Sequence, residues 1–213
     1  KLDLARYKDS VCRLCRRAGM KLFLKGDRCI GDKCSFDKRS FPPGQHGAAR
    51  TRGKVSEYGT QLREKQKARW VYGVLEKQFR IYYGTAARKK GVKGDNLFRA
   101  LELRLDNVVY RSSFADSRAQ ARQMVVHNHV MVNGRKVNRP SFSVRKGDVI
   151  QIKEKSKKID NIIQCAEKGK ARGLPEWLDV DLADLQTRVV ELPTQDDIKL
   201  NIDAQQIVEL YSK

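Results

Sequence analysis

Four cysteines near the start of the chain form the pattern with the clearest chemistry. Two residues separate Cys12 from Cys15, four separate Cys29 from Cys34, and thirteen lie between the two pairs. Two close pairs joined by a loop can supply the four thiolates of a tetrahedral zinc site. A site closed by four cysteines leaves no position open for a substrate. We therefore expect one structural Zn²⁺ in a small N-terminal knuckle.

Two other uses of the four cysteines stay open at this point. Disulfides are typical of secreted chains, and no signal-peptide pattern is evident at the N-terminus. An iron–sulfur cluster can also be held by four cysteines. Basic neighbours are expected to lower the pKa values of the thiols and to balance the negative charge of the centre. These neighbours are Arg13, Arg16, Arg17, Arg28 and Lys33.

The overall charge points to a polyanionic partner. The 213 residues include 45 lysines and arginines against 25 acidic residues, which gives a net charge of +20 and a pI near 10.0. Nucleic acid and an anionic membrane surface are the two candidates. A mean hydropathy of −0.64 and the absence of a long apolar run argue against a membrane-spanning helix. Residues 174–213 are acidic by contrast, as expected for a polar cover or a face directed away from RNA.

Positively charged side chains recur on the elements expected between residues 97 and 156. Leucines at 97, 101 and 105, with Val108, have the spacing of a single amphipathic helix that leaves Arg104 off the apolar stripe. Ser117 and Gln120 form a capping box for a second helix. Asn133-Gly134 predicts a hairpin, and Val149–Ile152 alternates like a strand. The cations expected within reach of one surface of this segment are Arg118, Arg122, Arg135 and Lys136, and Arg104 and His127 are expected as further RNA contacts.

The rest of the chain reads as a loop followed by helices. Residues 35–55 are irregular and contain the exposed cations Arg50, Arg52 and Lys54. Two helices are expected between Ser56 and residue 87, with aromatic side chains in the core and basic ones around them. We assign Arg63, Lys65 and Lys67 of this ring to RNA binding. A helical stretch follows residue 155, whereas residues 207–211 could be helix or strand.

Several motifs resemble the bacterial small-subunit ribosomal protein S four family. Residues 103–110 (LRLDNVVY), 118–123 (RAQARQ) and 132–134 (VNG) are similar to its small RNA-binding domain. The similarity continues in residues 43–47 (PGQHG), 61–67 (QLREKQK), 72–80 (YGVLEKQFR) and 207–213 (IVELYSK), and so covers nearly the whole chain.

The resemblance implies an α+β fold with four parts. Residues 1–45 would be an N-terminal arm with the zinc knuckle, and residues 46–96 a helical domain. Residues 97–156 would be an inserted RNA-binding module of two helices on a short antiparallel sheet. Residues 157–213 would be a C-terminal helix and acidic tail that packs back on the helical domain. Some members of the family carry a cysteine quartet and others lack it.

The resemblance also implies a structural, non-enzymatic role in the cytoplasm, as a constituent of the small ribosomal subunit. The expected partners are 16S ribosomal RNA, whose binding would nucleate assembly, and ribosomal protein S five, with an influence on accuracy. The loop of Arg50, Arg52 and Lys54 would lie near the path by which messenger RNA enters the ribosome. No membrane or small-molecule substrate is expected. The alternatives are an RNA-modifying enzyme with the same module, such as a pseudouridine synthase, and a zinc-dependent transcription regulator.

Overall fold

The computed structural model describes residue 7 and residues 9–49, 56–198 and 200–212, with the side chains of residues 170–172 excepted. These residues form two compact units. The first combines the described residues up to Gly94 with those from Leu200 onward, and the second begins at Asp95 and contains the residues between. The described helices have no segment long and apolar enough to cross a membrane.

The described helices alternate with a few short strands. The helices are α1 (Cys12–Ala18), a 3₁₀ helix (Gly26–Cys29), α2 (Ser35–Lys38), α3 (Glu57–Tyr72), α4 (Glu76–Ala87), α5 (Lys93–Glu102), α6 (Leu105–Arg111), α7 (Arg118–Val126), α8 (Glu154–Lys157), α9 (Asp160–Arg172) and α10 (Ala204–Ser212). The strands are β1 (Val130–Val132), β2 (Arg135–Lys136), β3 (Val149–Ile152), β4 (Leu178–Asp181) and β5 (Gln186–Val189).

In the first unit, the C-terminal helix α10 packs against α3 and α4. Ile207 of α10 is fully buried, and the Tyr211 ring lies 4.7 Å from the Tyr83 ring, centroid to centroid. The Tyr211 hydroxyl donates a hydrogen bond of 2.8 Å to Glu76 Oε1. The segment 207–211, for which the sequence allows either a helix or a strand, is helical because it lies within α10. Ser56 caps α3 as its position predicts, accepting from the Gly59 amide.

The second unit is built on a five-stranded antiparallel sheet in the order β2-β1-β3-β5-β4. One face of the sheet is covered by α6, α7 and α9, whose apolar side chains join those of the strands in one core. The mixed arrangement of helices and a small antiparallel sheet agrees with the expected fold class. The predicted hairpin and the strand Val149–Ile152 are confirmed. The capping box is confirmed in part, since Gln120 Oε1 accepts from the Asp116 amide rather than from that of Ser117.

The single helix expected from Leu97 through Tyr110 is wrong, because the chain forms two helices there. Arg104 has an extended backbone and forms an antiparallel bridge with Ser143. The Val144 amide donates to the Leu103 carbonyl, and the Leu105 amide donates to the Phe142 carbonyl. The break therefore exchanges helical hydrogen bonds for bonds to a distant segment. All four apolar residues of the expected stripe are nevertheless fully buried.

Candidate nucleic-acid interface

Arg118, at the start of α7, is held against α6 by two contacts. Its Nε donates a hydrogen bond of 2.8 Å to Asn107 Oδ1, and its guanidinium carbon lies 4.5 Å from the centroid of the Tyr110 ring. Asn107 in turn donates a hydrogen bond of 2.6 Å to Glu102 Oε2. Arg111 donates to both oxygens of the same buried carboxylate. A buried acid and amide thus fix a half-buried arginine in one orientation.

A second buried carboxylate, Asp106, holds two arginines. Arg104 donates to both of its oxygens, with Nη2 2.6 Å from Oδ2, and Arg122 Nη1 lies 3.2 Å from Oδ2. The Arg122 side chain is 27% exposed, whereas that of Arg104 is only 3% exposed. Arg104 therefore serves to orient Asp106, and its guanidinium does not lie on the surface. Arg122 is closer to the surface, on the same helix as Arg118.

Two neighbouring turns bring further cations together at one end of the sheet. Asn133, in the hairpin turn, donates through Nδ2 to Asp148 and accepts from the Val149 amide, at 2.9 and 2.8 Å. These bonds tie the hairpin to the turn that precedes β3. Arg135 and Lys136 are exposed on β2. Two further exposed cations stand in the second turn, Arg145 and Lys146.

The RNA contacts expected from the sequence did not include Arg145 and Lys146. The sequence does place these two cations directly before Gly147-Asp148, a pair of residues typical of turns. The missing information was the pairing of that turn with the hairpin.

His127 is exposed at the end of α7, as an RNA contact would require. By contrast, the neighbouring His129 contacts the protein itself, with its Nδ1 2.8 Å from Ser156 Oγ.

The basic residues expected around the first unit differ in their positions. Arg63 is exposed on α3. Lys65 is buried and pairs with Glu76 at 2.8 Å, and Lys67 pairs with Glu64. The Lys65 pair therefore joins α3 to α4, the Lys67 pair lies within α3, and the charges of both lysines are paired. The predicted messenger RNA loop, Arg50, Arg52 and Lys54, lies outside the described residues.

The four N-terminal cysteines lie in or next to α1, the 3₁₀ helix and α2. Cys15, Cys29 and Cys34 are buried and Cys12 is half-buried, and none is in a disulfide. The Lys25 amide donates to Cys29 Sγ at 3.3 Å. No group of three or more His, Cys, Asp or Glu side chains among the described residues is arranged to hold a metal ion.

The expected lowering of the thiol pKa values is wrong for two of these cysteines. Burial raises the pKa of Cys15, and repulsion from Cys29, Cys12 and Cys34 adds to it. The pKa of Cys29 is raised in the same way, by burial first and then by repulsion from Cys34 and Cys12. The basic neighbours have little influence because most of them, such as Arg13 and Arg28, are exposed to water.

Comparison with known proteins finds relatives that match this chain along nearly its whole length. Residues 6–102 match the family described as "Ribosomal protein S4/S9 N-terminal domain", and residues 103–150 match the "S4 domain". The chain is 54% identical over 210 residues to small ribosomal subunit protein uS4 of Syntrophus aciditrophicus (strain SB), covering 99% of this chain and 100% of that protein. The proteins of the same name from Desulfatibacillum aliphaticivorans and Natranaerobius thermophilus are 55% and 54% identical, with the same coverage.

Because residues 103–150 of the second unit match the S4 domain, the chain is a protein with an S4-type RNA-binding domain. The identity extends far beyond that domain, over both units of the chain. The chain belongs to the small ribosomal subunit protein uS4 family.

Proposed function

We propose that this chain is a structural, non-enzymatic constituent of the cytoplasmic small ribosomal subunit that binds 16S ribosomal RNA and helps to nucleate assembly. The observation that carries the proposal is identity of 54–55% to small ribosomal subunit proteins along their whole length. The second unit supplies a physical reason. Its helices and turns present fixed cations on a rigid sheet, and such an array gains affinity for a phosphate backbone by releasing counterions.

The RNA-binding side chains fall into two groups by how they are held. Arg118 and Arg122 are oriented by Asn107 and Asp106, so little conformational entropy is lost when they meet a phosphate. The exposed group is free to adapt to the RNA surface, and it includes Arg63 on the first unit. On the second unit it consists of His127, Arg135, Lys136, Arg145 and Lys146. Helical RNA hides its base edges, so these contacts recognise shape and backbone rather than sequence.

The four-cysteine zinc site remains part of the proposal. Its support is the spacing of the four cysteines and the burial of three of them as free thiols. Backbone amides directed at sulfur, as from Lys25 to Cys29, suit a charged thiolate ligand. Cys12, Cys15, Cys29 and Cys34 would hold the ion, which would stabilise the short helices around it.

Metal analysis of the purified chain tests the zinc site. Elemental analysis should find about one zinc per chain, and Cys29→Ser should remove it and increase proteolysis within residues 10–40 only. Cys165→Ser, which changes the fifth cysteine, is the matched control and should keep the metal. Unchanged metal content in Cys29→Ser would exclude the site, and iron with visible absorption would indicate an iron–sulfur cluster instead.

Further proposals concern the division of the chain into functional parts and the molecules that lie next to it in the small subunit. We propose the four-part division at residues 45, 96 and 156 as functional parts of the protein. The acidic segment 174–213 is suited to a basic protein neighbour, and we propose ribosomal protein S five there. Messenger RNA would pass near the loop of Arg50, Arg52 and Lys54.

Reconstitution tests the proposed function. Small subunits are assembled from 16S ribosomal RNA and the other small-subunit proteins of a relative, with this chain either replacing the uS4 protein or omitted. The chain should sediment with the particles at about one copy each, and omission should reduce their yield. Recovery of the chain only in the supernatant, with an equal yield of particles, would refute the assignment.

A further inference from the structure

Phe23 has an unusual backbone conformation for an aromatic residue. It lies between α1 and the 3₁₀ helix with φ at +50°. In this left-handed region the Cβ atom crowds the following carbonyl oxygen, so the backbone is strained. Asn128 and Asn133 also have positive φ, but asparagine tolerates this region through local hydrogen bonds. Phe23 has no such means of compensation.

A comparison with two other strained residues shows what is missing at Phe23. Leu185 and Ser113 also have positive φ, and each has its side chain buried, with 5% and 4% of the residue exposed. Packing in the second unit therefore offsets their strain. Phe23 is 47% exposed, so the folded chain gains little from the position of its ring.

The backbone on both sides of Phe23 is nevertheless fixed. Leu22 is 3% exposed, and its backbone lies beside the Cys15 sulfur. Two residues further on, the Lys25 amide donates to Cys29 Sγ. The ring is thus presented to solvent from a backbone that is anchored on each side. Strain retained at an exposed, anchored aromatic residue indicates a contact made outside the chain.

The surroundings of the ring indicate which kind of partner makes that contact. Residues 9–41 contain nine basic and four acidic residues. Lys25 and Arg28, close to Phe23 in sequence, are exposed. An aromatic ring among exposed cations is complementary to single-stranded RNA, whose bases stack while its phosphates pair with the cations.

We propose that Phe23 is a stacking platform for an unpaired base of small-subunit ribosomal RNA. The proposal rests on the proposed function and assigns to the N-terminal region a contact with a base, in addition to the phosphate contacts of the second unit. It predicts an unusual combination, in which a substitution at Phe23 weakens RNA binding without destabilising the free protein.

Three variants at this one position separate stacking from structural effects. Phe23→Gly removes both the ring and the strain, Phe23→Leu keeps an apolar side chain but removes the ring, and Phe23→Tyr keeps a flat ring. The full chain is titrated against 16S ribosomal RNA, and its urea unfolding is measured in parallel. Loss of one stacked base should weaken binding by Phe23→Gly and Phe23→Leu about 5- to 150-fold, while Phe23→Tyr binds like the wild type. Phe23→Gly should unfold at the same or a higher urea concentration.

The outcomes distinguish this inference from the proposed function. Wild-type affinity in Phe23→Gly, or in Phe23→Leu alone, would overturn stacking, the second case by showing that any apolar side chain suffices. Lower stability of Phe23→Gly in proportion to its lost affinity would show a structural role. Val92→Ala, at another exposed apolar residue, is the control and should bind normally. If the wild type itself shows no preference for 16S ribosomal RNA, the proposed function fails rather than the role of Phe23.

Discussion

Replacement of Arg135 and Lys136 by glutamine should flatten the salt dependence of RNA binding and leave the fold intact. Both side chains are exposed on the two-residue strand β2. Glutamine removes the charge and keeps most of the length, and exposed substitutions of this kind change the free energy of unfolding by about 0.5 kcal/mol or less. Arg118 and Arg122 are less suitable for this test, because the same change there would remove a hydrogen bond to buried Asn107 or Asp106 and so alter stability as well as charge.

The size of the effect follows from the number of cations removed. Each cation that neutralises a phosphate contributes about 0.7 to 0.9 to the slope of log affinity against log salt concentration. Removal of two should therefore reduce the slope by about 1.4 to 1.8. Between about 50 and 200 mM salt, the wild type should then weaken about 7- to 12-fold more than the variant.

The assay is a titration of 16S ribosomal RNA at four or more salt concentrations, with urea unfolding to confirm stability. Lys155→Gln with Lys158→Gln makes the same change in net charge at exposed lysines beyond β3, and should alter the slope less. An unchanged slope in the Arg135 and Lys136 variant would refute the assignment of the β2 edge to phosphate contact. Equal slope changes in both variants would show that net charge alone matters.

Three further predictions concern stability. Asp106→Asn should destabilise the protein by about 3–5 kcal/mol in urea unfolding, because it leaves the guanidinium of Arg104 buried without its carboxylate. A loss of stability below about 1 kcal/mol would contradict the importance of this buried ion pair. Burial opposes ionisation of Glu76, but hydrogen bonds from Lys65 and Tyr211 outweigh it and hold its pKa below the ordinary 4.5. The resulting stability is complete above that value and is lost as the pH falls through the folded pKa, so urea unfolding should show this loss in the wild type and not in Glu76→Gln. Gly84→Ala should raise stability by about 0.5–1 kcal/mol, since the added Cβ would meet nothing within 4 Å. Gly169→Ala should lower stability by about 1–3 kcal/mol, because the added Cβ would clash with Ser113. A thermal unfolding change of the same sign for both variants would be inconsistent with the packing.

Features determined by neighbouring residues could be predicted from the sequence. Asn133-Gly134 forms the expected hairpin because both residues accept positive φ, at 49° and 74°. Ser117 caps α7 through the amide three residues later, and the alternation of Val149–Ile152 gives a strand with buried Ile150 and Ile152. Each of these depends on a few adjacent side chains and the period of the backbone.

Features determined by distant partners could not be predicted. The helix break at Arg104 depends on residues 142–144, which compete for its backbone hydrogen bonds. Lys65 is spaced like an exposed cation, and its burial depends on Glu76, which Tyr211 of the C-terminal helix also contacts. The direction of the thiol pKa shifts depends on burial, which the sequence does not reveal, rather than on the number of nearby arginines.

The central claim is specific binding to small-subunit ribosomal RNA, and a competition titration tests it most directly. The purified chain is titrated against 16S ribosomal RNA at several salt concentrations, with transfer RNA and duplex DNA as competitors. We predict tight binding to the ribosomal RNA that persists in the presence of both competitors. Equal binding to all three, weakening in parallel as salt rises, would mean that the net charge of +20 acts without specificity, and would contradict the claim.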